Sequence, residues 1–376
     1  MEAVSVLSKV KLETRKLQDL VNRAVKGSTM VDIIPLSCLM ELTVKDKKLT
    51  IRTTDNINYI SVSTDVEDSG QFSMVVQSKL FTQIVGKLTT ATTELWCEGN
   101  KVKIKANGSY TMALSTDADG SLITFPEPKA DVTGSSNQIT MDEVRSILSY
   151  NKSCKADMKE VPAYYNYYMD EKGVLTTDTF KGCLNPIKVV DTPVSLSPTV
   201  VDLIPSVCDT NGVTVAQTED SVVFTSSIGT LVGRKCLPAD VEAFPADGLR
   251  QAFEQDTNKV VLNKTQLYQA LDRMCLFVDA LESHKVTTTF TTKDVVLYSD
   301  YTDSTEHVPY VKDAATPEYT FEEVTLLLDA GQFKAEVSAC DKESINIGFN
   351  EGGIQIANNG VTMALAVVDE MDVEVA

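Results

Sequence analysis

The side chains able to do chemistry are thinly spread in this sequence. Eight cysteines, at positions 38, 97, 154, 183, 208, 236, 275 and 340, lie tens of residues apart with no C-x-x-C pair. That spacing writes in neither a zinc ribbon nor a disulfide framework, so they read as reduced, mostly buried thiols. The two histidines, His284 and His307, have no obvious acid, base or metal companion, and His307 in "DSTEHVPY" reads as an exposed loop or strand residue. "TDADGS" (116–121) offers carboxylates at calcium-like spacing but lacks the full loop with its closing glutamate, and reads as a turn. "LVGRKC" is too short for a phosphate loop, and the G-x-x-x-x-G-K-[ST], H-E-x-x-H and G-x-S-x-G patterns do not occur. No catalytic or metal-binding residue is assigned, no cofactor is expected, and the chain reads as a non-enzyme.

What remains is charge. Lys and Arg number 34 against 53 Asp and Glu, a net charge of −19, which by itself argues against a nucleic-acid partner. The acidity is regional, because basic and acidic residues nearly balance over 1–130 while acidic ones dominate the remainder. An acidic exterior repels DNA non-specifically but does not fix the sign of any one face. Plotted at 100° per residue, "KLETRKLQDLVNRAVKG" puts Leu17, Leu20, Val21, Ala24 and Val25 on one side, and Arg15, Lys16, Arg23 and Lys26 in a stripe on the other that Asp19 interrupts. Other helical stretches also carry cations: Lys79 and Lys87, Arg145 and Lys152, Lys264 and Arg273, and Lys334.

The elements that hold these cations recur. "NGSYTMAL" (107–114) returns as "NGVTMAL" (359–365), which points to a structural unit used more than once. The i, i+3, i+4 spacing of Leu17, Leu20 and Val21 is repeated by Val144, Ile147 and Leu148, and by Leu267, Ala270 and Leu271. A second helix follows each time, carrying Phe81, Val201 or Phe333, and after it three strands with Gly108, Gly229 or Gly360 at the last hairpin. Two unrelated landmarks keep nearly the same step, so three α+β units are expected, each with two helices packed on antiparallel sheet. The Phe-Pro segments "FPEP" (125–128) and "FPAD" (244–247) lead into the polar stretches "KADVTGSSNQ" and "DGLRQAFEQDTN", which read as linkers and place domains at 1–130, 131–255 and 256–376. Hydrophobic content of 43% suits a globular chain. No apolar run approaches about 18 residues, and the N-terminus lacks the layout of a secretory signal, so the cytoplasm is the expected compartment.

With three such units, the segment "DIIPLSCLMELTVKDKKLTIRTTDNINYISVS" (32–63) with Pro35 and "LTIRTTD" ending at Asp55, and the "STDADGSLITFPEP" end of the first unit, the chain resembles the bacterial β sliding clamp family, the DNA polymerase III beta subunit. The resemblance covers essentially the whole chain and is strongest in the first unit. It implies a processivity factor: a head-to-tail homodimer closed into a ring, edge of unit one against edge of unit three, with helices lining a hole around double-stranded DNA. The eleven cations named above would then face phosphates weakly and without regard to sequence. It also implies a pocket that takes short apolar peptides from DNA polymerase and clamp loader. The matching segments here are "TTDTFKGCL", keeping Gly182 and Leu184 but lacking the family's His-Arg pair, and a tail keeping Val367 and Val368 before an acidic end. Those departures fit a phage-encoded or otherwise divergent member. Two other readings of the repeats are a virion component of tandem α+β modules and a DNA-encircling decoy that captures host replication partners.

Overall fold

The computed structural model describes residues 9–29, 35–67, 70–117, 119–121, 123–128, 135–157, 161–277, 285–311 and 318–368. One order of elements is used three times. The first pass is β1 (Val10–Glu13), α1 (Thr14–Ala24), β2 (Leu39–Lys45), β3 (Lys48–Thr54), β4 (Tyr59–Asp65), β5 (Phe72–Gln77), α2 (Ser78–Gly86), β6 (Thr92–Glu98), β7 (Lys101–Lys105) and β8 (Ser109–Ala113). The second is β9 (Ser136–Ile139), α3 (Met141–Ser146) continuing through a π-helical turn into α4 (Lys152–Cys154), a short α5 (Pro162–Tyr165), β10 (Tyr167–Asp170), β11 (Gly173–Thr177), β12 (Lys181–Asn185), β13 (Val194–Leu196), α6 (Pro198–Val207), β14 (Val213–Gln217), β15 (Ser221–Thr225) and β16 (Gly229–Arg234). After α7 (Pro238–Glu242) and α8 (Ala246–Phe253), the third is β17 (Asn258–Asn263), α9 (Lys264–Met274), β18 (Lys285–Phe290), β19 (Asp294–Ser299), β20 (Ser304–Pro309), β21 (Val324–Asp329), α10 (Ala330–Ala339), β22 (Ser344–Asn350), β23 (Gly353–Asn358) and β24 (Val361–Ala366).

Every pairing is antiparallel, and each pass supplies two four-stranded halves. The halves fuse between passes, giving the eight-stranded orders β5-β2-β3-β4-β16-β15-β14-β9 and β13-β10-β11-β12-β24-β23-β22-β17. The outer halves, β1-β6-β7-β8 and β20-β19-β18-β21, stay four-stranded. Two compact units result: unit 1 is residues 1–144 with 199–235, and unit 2 is residues 145–198 with 236–376. Each fused joint has core residues on its inner face. Ile60 opposes Leu231 in unit 1 and Cys183 opposes Met363 in unit 2, all at most 1% exposed, so a one-residue slip would turn apolar side chains to the other face. By position in the halves, β8 corresponds to β16 and β24, and β20 to β4 and β12.

The helices form for local reasons. Leu17, Leu20, Val21 and Ala24 of α1 are buried as their spacing requires, and Phe81, Val201 and Phe333 are wholly buried. Thr140 and Glu143 close a capping box at the start of α3: Glu143 Oε2 accepts from the Thr140 N–H at 2.7 Å, and Thr140 Oγ1 accepts from the Glu143 N–H at 3.2 Å. Asn263 and Asp329 cap α9 and α10 by accepting from the backbone N–H three residues on.

Two expectations need correction. The supposed linker at 247–258 holds most of α8, which is docked. Leu249 sits so close over Gly182 that a Cβ there would come within 2.6 Å of it, and Arg250 makes a bidentate pair with Asp170 at 2.7 and 2.8 Å. Ala246 and Leu249 packed on Tyr168, Leu175 and Phe244, the Arg250 ion pair and a hydrogen bond from Gln355 Nε2 to the Ala252 carbonyl at 3.0 Å hold this two-turn helix, so the rest of its composition stays polar. His307 does have an acid companion: its Nδ1 lies 2.8 Å from Asp294 Oδ2 across the β19–β20 pair. It is an exposed strand residue, as read from the sequence. All eight cysteines are free thiols, four of them buried. "TDADGS" is a turn, with the Gly120 N–H donating to Asp117 O. His284 and the segment 129–134 lie outside the described residues. No described helix is long and apolar enough to cross a membrane.

Candidate nucleic-acid interface and partner groove

In unit 1, α1 with the turn that follows it and α2 with its C-terminal cap carry six of the expected cations. Arg15, Lys26, Lys79 and Lys87 are exposed, and none makes an ion pair among the described residues. Lys16 pairs with Glu13 at 2.9 Å, and that carboxylate raises its pKa. Arg23 bonds Asp19 at 2.7 Å and reaches the Pro205 and Ser206 carbonyls at 3.4 and 3.3 Å. Those carbonyls belong to the last turn of α6, where no helical N–H remains to satisfy them, and a cation there also complements the helix dipole. Arg23 therefore stitches α1 to α6. The segment Pro198–Val207 brings no Lys or Arg to this surface.

In unit 2 the equivalent cations are largely engaged. Lys264 Nζ donates to the Cys340 carbonyl at the end of α10. Arg273 forks onto Glu306 of β20 at 2.6 and 2.9 Å, which holds the Glu306 carboxyl below its ordinary pKa. Lys334 of α10 meets Asp272 of α9 at 3.2 Å. Arg145 and Lys152 are exposed on α3 and α4. Beneath this layer Glu336 of α10 is completely buried, with Cys154 Sγ 3.8 Å from Oε1 and no partner for Oε2. Burial pushes its carboxyl well above the usual range, with Cys154 and Asp178 adding to the rise and Lys181 opposing it.

The four expected groove residues separate. Gly182 lines a cavity of about 260 Å³ together with Phe180, Leu249, Ile354 and Leu365. Leu184 instead packs against Tyr168, Leu175 and Phe244. Val367 packs on the core of unit 2, and the Val368 N–H donates to Leu327 O at 2.9 Å. The chain before them does reach the cavity, where the Ala366 N–H donates to Phe180 O at 2.7 Å.

Sequence reasoning missed Phe180, half exposed at the tip of the β11–β12 turn. The signal was present, because "TTD" occurs twice, at 53–55 and 176–178. Both copies fold alike. Asp55 Oδ1 accepts from the N–H of Ile57 and Asn58 at 2.9 and 2.6 Å, and Asp178 Oδ1 from Phe180 and Lys181 at 3.0 and 2.8 Å. Thr54 and Thr177 each accept from the N–H two residues on and donate to the carbonyl four residues on. Asn56 and Thr179 take positive φ, 74° and 85°, where the chain must reverse. Each turn then displays an apolar side chain, Ile57 at 60% exposure and Phe180 at 50%.

Comparison with known proteins bears on these surfaces. Residues 8–121 match the family model of the DNA polymerase III beta subunit, N-terminal domain. No curated protein matches the chain by sequence. Among solved structures, a DNA polymerase III beta subunit from Thermotoga maritima superposes with TM-score 0.79 at 18% identity, covering 96% of this chain and 99% of that one. A sliding clamp from Pseudomonas aeruginosa bound to griselimycin gives 0.82 at 12%, and one from Bacillus subtilis 0.77 at 15%, with the same coverage. The chain has the sliding-clamp fold, and the resemblance read from its sequence holds, with low identity marking it as divergent.

Proposed function

We infer that this protein is a DNA sliding clamp, a processivity factor that encircles duplex DNA and tethers a DNA polymerase. Its first domain carries the DNA polymerase III beta signature. The observation that carries the reading is the repetition of one joint. β4 is sealed by β16 and β12 by β24, while β20 and β8, in the corresponding positions, pair on one side only, with β19 and β7, and have no second partner strand among the described residues. An unsealed edge invites pairing, and a head-to-tail contact between β20 of one copy and β8 of another satisfies both ends of a dimer at once. Three domains per chain, 1–130, 131–255 and 256–376, then make six around a ring. The free cations of α1 and α2 would face phosphates, with Arg145 and Lys152 contributing from the second domain.

Such a ring needs only a weak grip, because enclosure keeps it on DNA. Long flexible Lys and Arg side chains meet phosphates without reading bases, so the collar slides. No bond is made or broken, and the protein works without catalysis, in the cytoplasm with the replication machinery. The cavity beside Gly182 and Phe180 is the place for an apolar peptide from polymerase or clamp loader.

Retention on DNA tests the reading. Loaded onto a nicked circular plasmid with a clamp loader, the protein should stay bound through gel filtration at moderate salt and be lost once the circle is cut. Light scattering should give the mass of a dimer. A stable monomer, or equal retention on circular and linear DNA, would overturn it.

A further inference from the structure

We propose that Arg273 fastens two copies of this chain together, its Nη1 donating to the carbonyl of Gly86 of the partner subunit at the end of α2. The inference rests on the head-to-tail dimer proposed above and names the side chain that secures it.

The joints inside the chain supply the pattern. α1 packs on β3 and β4, and α9 packs on β19 and β20. Counted from their first residues, Thr14 and Lys264, the two helices bury the same positions: Leu17 with Leu267, Leu20 with Ala270, Val21 with Leu271 and Ala24 with Met274. On that count Arg273 is the counterpart of Arg23. Arg23 divides its donors, giving Nε to Asp19 Oδ2 at 2.7 Å and Nη1 to the Pro205 and Ser206 carbonyls in the last turn of α6. The β12–β24 joint links the corresponding helices with other side chains. Ser149 Oγ donates to the Ala339 carbonyl at the end of α10 at 3.1 Å, and the Asp341 N–H just beyond donates to Tyr150 Oη at 3.0 Å.

Arg273 is set up for the same division. Glu306 takes its Nε and Nη2 at 2.6 and 2.9 Å, and Nη1 has no hydrogen-bond partner among the described residues. Pairing β20 of one copy with β8 of the other would set α9 beside the partner's α2, as β4 with β16 sets α1 beside α6. In α6 the two acceptors lie four and five residues beyond Val201; in α2 the same steps from Phe81 lead to Val85 and Gly86. Val85 O already accepts from Gln18 Nε2 and from the Leu88 N–H. Gly86 O accepts no hydrogen bond among the described residues, and a Cβ on this exposed glycine would meet nothing within 4 Å. An orphan carbonyl at a helix C-terminus suits a guanidinium, through both its lone pairs and the helix dipole. Lys87 adjoins that carbonyl, but the Arg273–Glu306 pair brings no net charge towards it.

Sedimentation velocity of the intact protein over a dilution series tests this, with the parent expected to run as a dimer. Arg273→Gln should raise the dimer dissociation constant about a hundredfold, because each of two equivalent joints loses one charged hydrogen bond. Arg273→Lys should recover part of that loss. Lys334→Gln, which removes a pair made within one chain, should leave the constant unchanged. Gly86→Trp should also weaken the dimer, and the double variant should lose less than the product of the two single effects, since the residues meet. Arg273 is half exposed and Gly86 exposed, so every variant should keep the parent's circular dichroism. A dimer that Arg273→Gln leaves as tight as the parent, or fully multiplicative losses in the double variant, would overturn the inference and leave the clamp reading standing. A monomeric parent would end both.

Discussion

In unit 1, Lys26, Lys79 and Lys87 stand exposed without ion pairs among the described residues. In unit 2, Lys264, Arg273 and Lys334 are each tied to a carbonyl or carboxylate. The same plan of helices and sheet thus carries two electrostatic characters. Architecture repeats because apolar positions repeat, whereas a charge is free only if nothing nearby in space has claimed it. Counting cations along a chain therefore overstates a binding face, and unit 1 is where DNA affinity should concentrate.

The largest effect tests the shared plan. Phe81 and Phe333 occupy equivalent, fully buried positions, so replacing either with alanine should cost about 3–5 kcal/mol in denaturant unfolding. A loss confined to one of the two variants would break the equivalence of the units. Next in size is the buried carboxyl, which unit 2 has at Glu336. Its folded pKa is raised, so above the ordinary carboxylate range the folded state keeps a proton that the unfolded chain has released. Stability from this group is complete below the unfolded pKa and is lost as pH rises toward the folded one, at up to about 1.4 kcal/mol per pH unit. Glu336→Leu should flatten that decline and melt higher than the parent at pH 8, with little gain at pH 4. An unchanged pH profile would show that the carboxyl is not held protonated.

The smallest effect sharpens the comparison most. Reversing Lys26, Lys79 and Lys87 to glutamate should weaken binding to duplex DNA at least tenfold and lower its salt dependence, since each phosphate contact contributes about 0.9 to the log–log slope. Lys334→Glu should change DNA binding less and cost under about 1 kcal/mol of stability, because its pair with Asp272 is partly exposed. Comparable DNA effects from both sets would mean that the ion pairs of unit 2 open to admit phosphate. Arg23 is a poor probe, because its stitch to α6 would confound binding with folding.

The repeat was legible in the sequence because Phe81, Val201 and Phe333 keep step with Gly108, Gly229 and Gly360. Packing a helix on a sheet demands large buried side chains at set intervals, and intervals survive in one dimension. Partnerships do not. Lys334 finds Asp272 some 62 positions away, and Arg250 finds Asp170 across 80. Nothing in the polar stretch "DGLRQAFEQDTN" announced that Leu249 and Arg250 would anchor a helix. For the groove, the family likeness drew attention to Gly182 and Leu184. The stronger clue was the doubled "TTD", whose meaning lies in hydrogen bonds that composition does not display.

The middle third of the chain owns no complete sheet: one of its halves continues into the first third through β4 and the other into the last through β12. Excised, it would expose two long raw strand borders and tend to clump with its own kind. It cannot be traded as a cassette, so surgery on this protein has to cut at its outer thirds or replace a joint whole.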